Sequence, residues 1–147
     1  MRQPIPFELS KDQSFFDSLG EWIGDVLYDE LPEKGLECRD EQIFMAFQIE
    51  QALKEKQVLF AEAGVGTGKT IAYLLPAISY ARYTGRPALI ACADETLIDQ
   101  LVKEEGDIGK LQSLLALKID VRLAKSRDQY LCLKRFEEVE TVEMEEW

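Results

Sequence analysis

The sequence predicts an α/β fold, a parallel sheet flanked by helices. Three observations carry that prediction. Val58–Ala61 and Ala88–Ala93 are short apolar runs of strand length. Residues 69–83 repeat apolar side chains at helical spacing and join the two runs, and a strand–helix–strand crossover sets its strands parallel and right-handed. Between the first run and the helix lies a glycine-rich loop, Glu62-Ala63-Gly64-Val65-Gly66-Thr67-Gly68-Lys69-Thr70.

Taken in order, the chain first shows a helical pattern from Ser10. Ser10 and Gln13 have the spacing of a capping box. Phe15, Phe16, Leu19, Trp22, Ile23, Val26 and Leu27 share one broad face, and Pro32 and Gly35 end the pattern. That face suits packing on the domain's own sheet better than display to a partner, because large apolar side chains are ordinarily buried.

A second helix is expected from about Asp40 to Lys56, with Ile43, Ala46, Phe47, Ala52 and Leu53 suited to burial. Arg39 and Gln42 stand at its start, one helical turn apart and upstream of the glycine-rich loop. A glutamine amide donates and accepts together, which is what reading an adenine edge requires.

The loop itself is a relaxed P-loop, with Ala63 at the first glycine position of the strict pattern. Small residues at Gly64, Val65, Gly66, Thr67 and Gly68 let successive backbone N–H groups turn inward on an anion, and the helix that follows presents its positive end. Lys69 then reaches the β- and γ-phosphates of a bound nucleotide, and Thr70 supplies a hydroxyl to magnesium. ATP and magnesium are therefore the expected ligands.

Asp94-Glu95, at the end of the second apolar run, is open to two readings. Asp94 could hold magnesium while Glu95 activates water, or the pair could open a segment with another role, continued by Thr96, Leu97 and Gln100; a cap by Asp94 on the helix through Leu101, Val102 and Lys103 is compatible with either. Gly106 and Gly109 are expected to break that helix, Leu111–Leu117 is a further apolar stretch, and Ile119–Leu123 alternates as a strand does.

Composition bounds the rest. The 147 residues suit one domain with a real core, at 46% hydrophobic and 31% charged residues. No apolar run approaches a membrane span and no signal pattern opens the chain, so no membrane partner and a cytoplasmic location are expected. The net charge of −11 argues against a general nucleic-acid coat. Its distribution is uneven: Lys118, Arg122, Lys125, Arg127, Lys134 and Arg135 form a basic island, with Tyr130 and Phe136 interleaved, ahead of an acidic tail. Cations with aromatics can follow a single nucleic-acid strand, although a solvated face is the blander reading. Cys38, Cys92 and Cys132 are too scattered for a disulfide framework or a complete metal motif, and the absence of histidine excludes imidazole catalysis within these residues.

Together these pieces resemble the start of a superfamily 2 helicase of the DinG/XPD-like, iron-sulfur branch. Arg39, Gln42 and Met45 resemble its adenine-reading element, and Glu62–Thr70 resembles its motif I. Asp94-Glu95-Thr96-Leu97-Ile98-Asp99-Gln100-Leu101 resembles motif Ia, where the resemblance puts Thr96 on the backbone of single-stranded DNA. Lys125–Cys132 resembles the lead-in to the first iron-sulfur ligand, which makes Cys132 the candidate ligand and Arg127 and Tyr130 candidate nucleic-acid contacts. Ser126 and Gln129 depart from that pattern, where glycine and asparagine are usual.

The resemblance implies a partial RecA-like helicase domain 1 over residues 36–136, preceded by a helical segment, 1–35, and followed by an acidic tail, 137–147. It implies an ATP-dependent DNA helicase moving 5′ to 3′ on single-stranded or forked DNA, with a 4Fe-4S cluster possible only in a full-length protein. Motif II of that family requires a histidine, so these residues are expected to be the N-terminal portion of a longer helicase and inactive alone. The alternative is a stand-alone nucleotide-binding switch that works through a partner surface such as Phe15–Leu27.

Overall fold

The computed structural model describes residues 3–138. Helix α1, Phe15–Asp25, begins four residues later than expected. Its N-cap is Ser14, whose Oγ accepts from Asp17 N at 3.2 Å while Ser14 N donates to Asp17 Oδ2 at 3.3 Å. This reciprocal pair replaces the expected Ser10–Gln13 box. An aspartate at N3 makes the same closure as the usual glutamate and adds a negative charge where the helix is positive.

The helix runs on through a π-helical turn, Val26–Glu30, into α2, Leu31–Glu33. The ladder widens just ahead of Pro32, where Leu31 N donates to Val26 O. A proline that has no N–H is accommodated at that point. Gly35, at φ +83°, then ends the run, with Leu36 N donating back to Leu31 O at 2.9 Å.

Helix α3, Asp40–Glu55, and helix α4, Lys69–Thr84, match the sequence expectation and pack against each other. The core lies where α1, α3 and α4 meet. Leu19, Ile23, Val26, Leu27 and Leu31 are fully enclosed there with Ala46, Ala72 and Leu75. Phe7 packs its ring on both Phe15 and Trp22, and Phe15 continues the aromatic layer onto Tyr80 and Tyr83 of α4. The apolar face of α1 is thus a core face.

Helix α5, Glu95–Val102, and helix α6, Asp107–Leu115, form a close pair that reaches α4 through α6. Gly106 separates them as expected, but Gly109 lies inside α6. A Cβ at Gly109 would stand 2.1 Å from Glu104 O, and one at Gly106 would stand 2.6 Å from Gln100 O, so both glycines serve the close approach. Arg82 fastens the far end of α4 by donating to Pro4 O at 3.0 Å, Gln3 Oε1 at 2.9 Å and Lys118 O at 2.6 Å.

The expected parallel sheet is not formed. Among the described residues no strand occurs: residues 58–61, 88–93 and 119–123 carry no strand pairing. Phe60 is 94% exposed and Leu89 93% exposed. A segment becomes a strand only when a neighbour takes up its N–H and C=O groups, and consecutive strands are neighbours in only about two-thirds of cases. The residue types favour extension here, and no partner segment within residues 3–138 supplies the ladder. A short 3₁₀ turn, Arg127–Gln129, and a helical stretch over residues 133–138 follow. Most of the acidic tail lies outside the described residues.

Candidate nucleotide site

The site is built where the glycine-rich loop enters α4. Gly66 and Gly68 both adopt the left-handed conformation, at φ +78° and +73°, and Gly68 is the N-cap of the helix. Thr67 Oγ1 closes the loop by donating to Gly64 O at 2.9 Å, and Val65 stands fully exposed at the tip. Lys69 and Thr70 are the first two residues of a 16-residue helix. The N–H groups of such a first turn have no intrahelical acceptor and carry the positive end of the dipole. No acidic side chain occupies that turn, which leaves it suited to an anion.

Gln42 is brought to this loop from 26 residues away. Its side chain is buried, and Nε2 donates to Gly68 O at 3.0 Å. Arg39, the N-cap of α3, lies on the surface, and its carbonyl accepts the Ile43 N–H at 3.1 Å. Helix α3 can place Gln42 inside because Ile43 and Ala46 anchor the same turn in the core.

Lys69 and Thr70 also open onto a groove of ≈ 1110 Å³ between α4, the end of α3 and residues 86–93. Tyr73 lines it, one turn beyond Thr70. Burial pushes the Tyr73 phenol up, against a hydrogen bond shared with Thr70 that pulls it down. Sequence reasoning missed this residue, although its i+3 spacing from Thr70 was the available signal.

Asp94 is a helix cap: its Oδ1 accepts from Leu97 N at 2.9 Å. Thr96 is exposed in the first turn of α5. Arg127 and Tyr130 lie in a separate surface turn, where the Tyr130 hydroxyl accepts from Lys125 N at 3.0 Å. Ser126 and Gln129, the two departures from the family pattern, bond to each other there: both Ser126 N and Ser126 Oγ donate to Gln129 Oε1 at 3.0 Å.

The donor set around the loop fits a nucleoside triphosphate with magnesium, because Thr70 offers one hydroxyl and a magnesium ion ordinarily completes its shell with phosphate oxygens and water. It does not fit an iron-sulfur cluster. Cys132 is an exposed free thiol, and the described residues contain no group of three or more metal-ligating side chains.

Comparison with known proteins gives the chain a family. The DEAD/DEAH box helicase family matches residues 46–142. The chain is 69% identical over 133 residues to a probable ATP-dependent helicase, YpvA, of Bacillus subtilis, which covers 90% of this chain and 21% of that protein. It is 38% identical over 106 residues to the ATP-dependent DNA helicase YoaA of Haemophilus influenzae, across 72% of this chain and 16% of that protein. It is 29% identical over 144 residues to the 3'-5' exonuclease DinG of Bacillus subtilis, across 95% of this chain and 15% of that protein. The chain therefore spans about a fifth or less of the length of these relatives. No solved structure matches it. No helix among the described residues is long and apolar enough to cross a membrane. On the family match and these relatives, the chain belongs to the DEAD/DEAH box helicases and is of the DinG-like kind, with the P-loop, RecA-like fold class which that membership carries.

Proposed function

We propose that the chain is the nucleotide-binding part of the first motor domain of a cytoplasmic ATP-dependent DNA helicase that moves 5′ to 3′ on single-stranded DNA. The observation that carries this reading is the loop–helix junction. Two left-handed glycines precede Lys69 and Thr70 at the start of a long helix, inside a chain of helicase ancestry. In this reading residues 36–136 are the motor portion, 1–35 a helical support and 137–147 the start of an insertion. Residues 58–61 and 88–93 become strands of a parallel sheet once further strands are present.

Gly64–Gly68 cradle the phosphates, Lys69 neutralises them and Thr70 contributes to magnesium, while Gln42 and Arg39 read adenine. Magnesium, when bound, would draw charge from the β- and γ-phosphate oxygens. The residues present bind and orient: Asp94 caps α5, and in this reading Asp94-Glu95 belongs to motif Ia, so the carboxylate that positions water comes from a longer polypeptide. Hydrolysis by this chain alone is accordingly negligible, because the water-positioning carboxylate and the arginine finger carry most of the transition-state stabilisation. Thr96 meets the DNA backbone, and Arg127 and Tyr130 meet the same strand. Cys132 offers one thiolate, so a 4Fe-4S cluster requires three further ligands from a longer polypeptide.

The stand-alone switch loses its surface, since Phe15, Leu19, Ile23, Val26 and Leu27 are all in the core. Titration with a fluorescent ATP analogue tests the reading. The wild-type chain should bind in the presence of magnesium, Lys69→Ala should lose at least tenfold in affinity, and Glu95→Gln should leave the negligible turnover unchanged. Robust hydrolysis abolished by Glu95→Gln would sink it.

A further inference from the structure

Gln42 reaches the phosphate loop itself, at the backbone of Gly68. The residue is 4% exposed, and Nε2 donates to Gly68 O at 3.0 Å. That carbonyl also accepts the Ala72 N–H at 3.4 Å, so both of its lone pairs have partners, one from the helix it caps and one from α3. The fit leaves no room for a side chain at position 68. A Cβ there would stand 2.6 Å from Gln42 Nε2 and 2.9 Å from the amide carbon.

The peptide unit between residues 68 and 69 is planar and trans, so its C=O and N–H point in opposite directions. A side chain that holds the Gly68 carbonyl on one side fixes the aim of the Lys69 N–H on the other. That N–H belongs to the first turn of α4, where donors have no intrahelical acceptor. Gly68 is at φ +73°, a conformation that glycine adopts without steric cost but does not by itself prefer, so an external restraint is what selects it.

We infer that Gln42 is a positioning residue for the phosphate cradle, acting through the Gly68 carbonyl whatever base the ligand carries. This goes beyond adenine reading and rests on the nucleotide reading of the loop. The amide does the work without adding charge beside Lys69, and the anchoring of its helix in the core by Ile43 and Ala46 gives the restraint a rigid base.

Inorganic tripolyphosphate separates the two roles, because it presents phosphates and no base. Calorimetric titrations with tripolyphosphate and with Mg-ATP are to be run on the 147-residue chain, on Gln42→Met, which keeps length and loses the donor, and on Gln42→Asn, which keeps the amide one methylene short. Thermal melts accompany each to establish folding. Both variants should bind tripolyphosphate roughly three- to tenfold more weakly, the worth of one hydrogen bond. Either variant, folded, with wild-type tripolyphosphate affinity and reduced ATP affinity overturns the inference and leaves the nucleotide reading standing. A wild-type chain that takes neither ligand overturns both. If Gln42→Met does not fold, the Gln42→Asn comparison decides alone.

Discussion

The rings of Phe15 and Tyr83 stack 3.9 Å apart at 9°, joining the first residue of α1 to the last turn of α4. Phe15 is buried, and Tyr83 sits at the edge of the layer. The stack makes the N-terminal helix a structural part of the fold. Phe15→Ala should cost about 3–5 kcal/mol in urea unfolding, and Phe15→Leu less than half of that.

The Ser14–Asp17 box gives a second outcome. Ser14→Ala should destabilise the chain by about 1 kcal/mol. Hydrogen bonds from Ser14 hold the Asp17 carboxyl below its ordinary value of 3.8, with Lys54 adding to the effect. A depressed carboxyl contributes stability above its unfolded value and loses it as pH falls through the folded one. The Ser14→Ala difference, followed by chemical denaturation, should therefore shrink below about pH 4.

Glu50 works in the opposite sense. Burial pushes its carboxyl above the ordinary 4.5, against the pull of Lys54 and with the help of Asp17. The folded state then holds the proton more tightly than the unfolded chain, so this residue's contribution falls as pH rises through that range. Glu50→Gln should be more stable than wild type at pH 7, and the two should converge below the ordinary carboxylate range. A melting series from about pH 3 to 8 reads this directly.

Two helices end on residues for which the left-handed conformation is unfavourable, Lys56 at φ 55° and Ala116 at φ 50°. Lys56→Gly and Ala116→Gly should each stabilise the chain by about 0.5–1 kcal/mol, the relief of Cβ crowding less the added freedom of the unfolded chain. Equilibrium urea curves are sensitive enough to check it.

Helix identity was legible in the residues, because α3 and α4 each repeat apolar side chains at helical spacing, and the buried Ile43, Ala46, Ala72 and Leu75 fall on those repeats. The start of α1 was misplaced because Ser10 and Ser14 both have cap chemistry, and only packing of Phe15 decides between them. The sheet was not predictable from Val58–Ala61 or Ala88–Ala93 alone, since apolar β-formers announce a willingness to extend and say nothing about which neighbour completes the ladder. At the site, Gly68, Lys69 and Thr70 were readable from spacing. The Gln42–Gly68 contact was not, since it depends on how α3 lies against α4. Gly109 is glycine for a reason the sequence does not display, the approach of the Glu104 carbonyl from the connection between α5 and α6.

Arg82 has a consequence for how the chain is made. Its guanidinium joins Gln3 and Pro4 to Lys118, partners that lie far apart along the chain and leave the ribosome at different times. At ordinary elongation rates the first of them waits on the order of ten seconds for the last. Through that interval Arg82 of α4 lacks the Lys118 carbonyl, so the joint between residues 3–4 and residue 118 closes only after residue 118 has emerged.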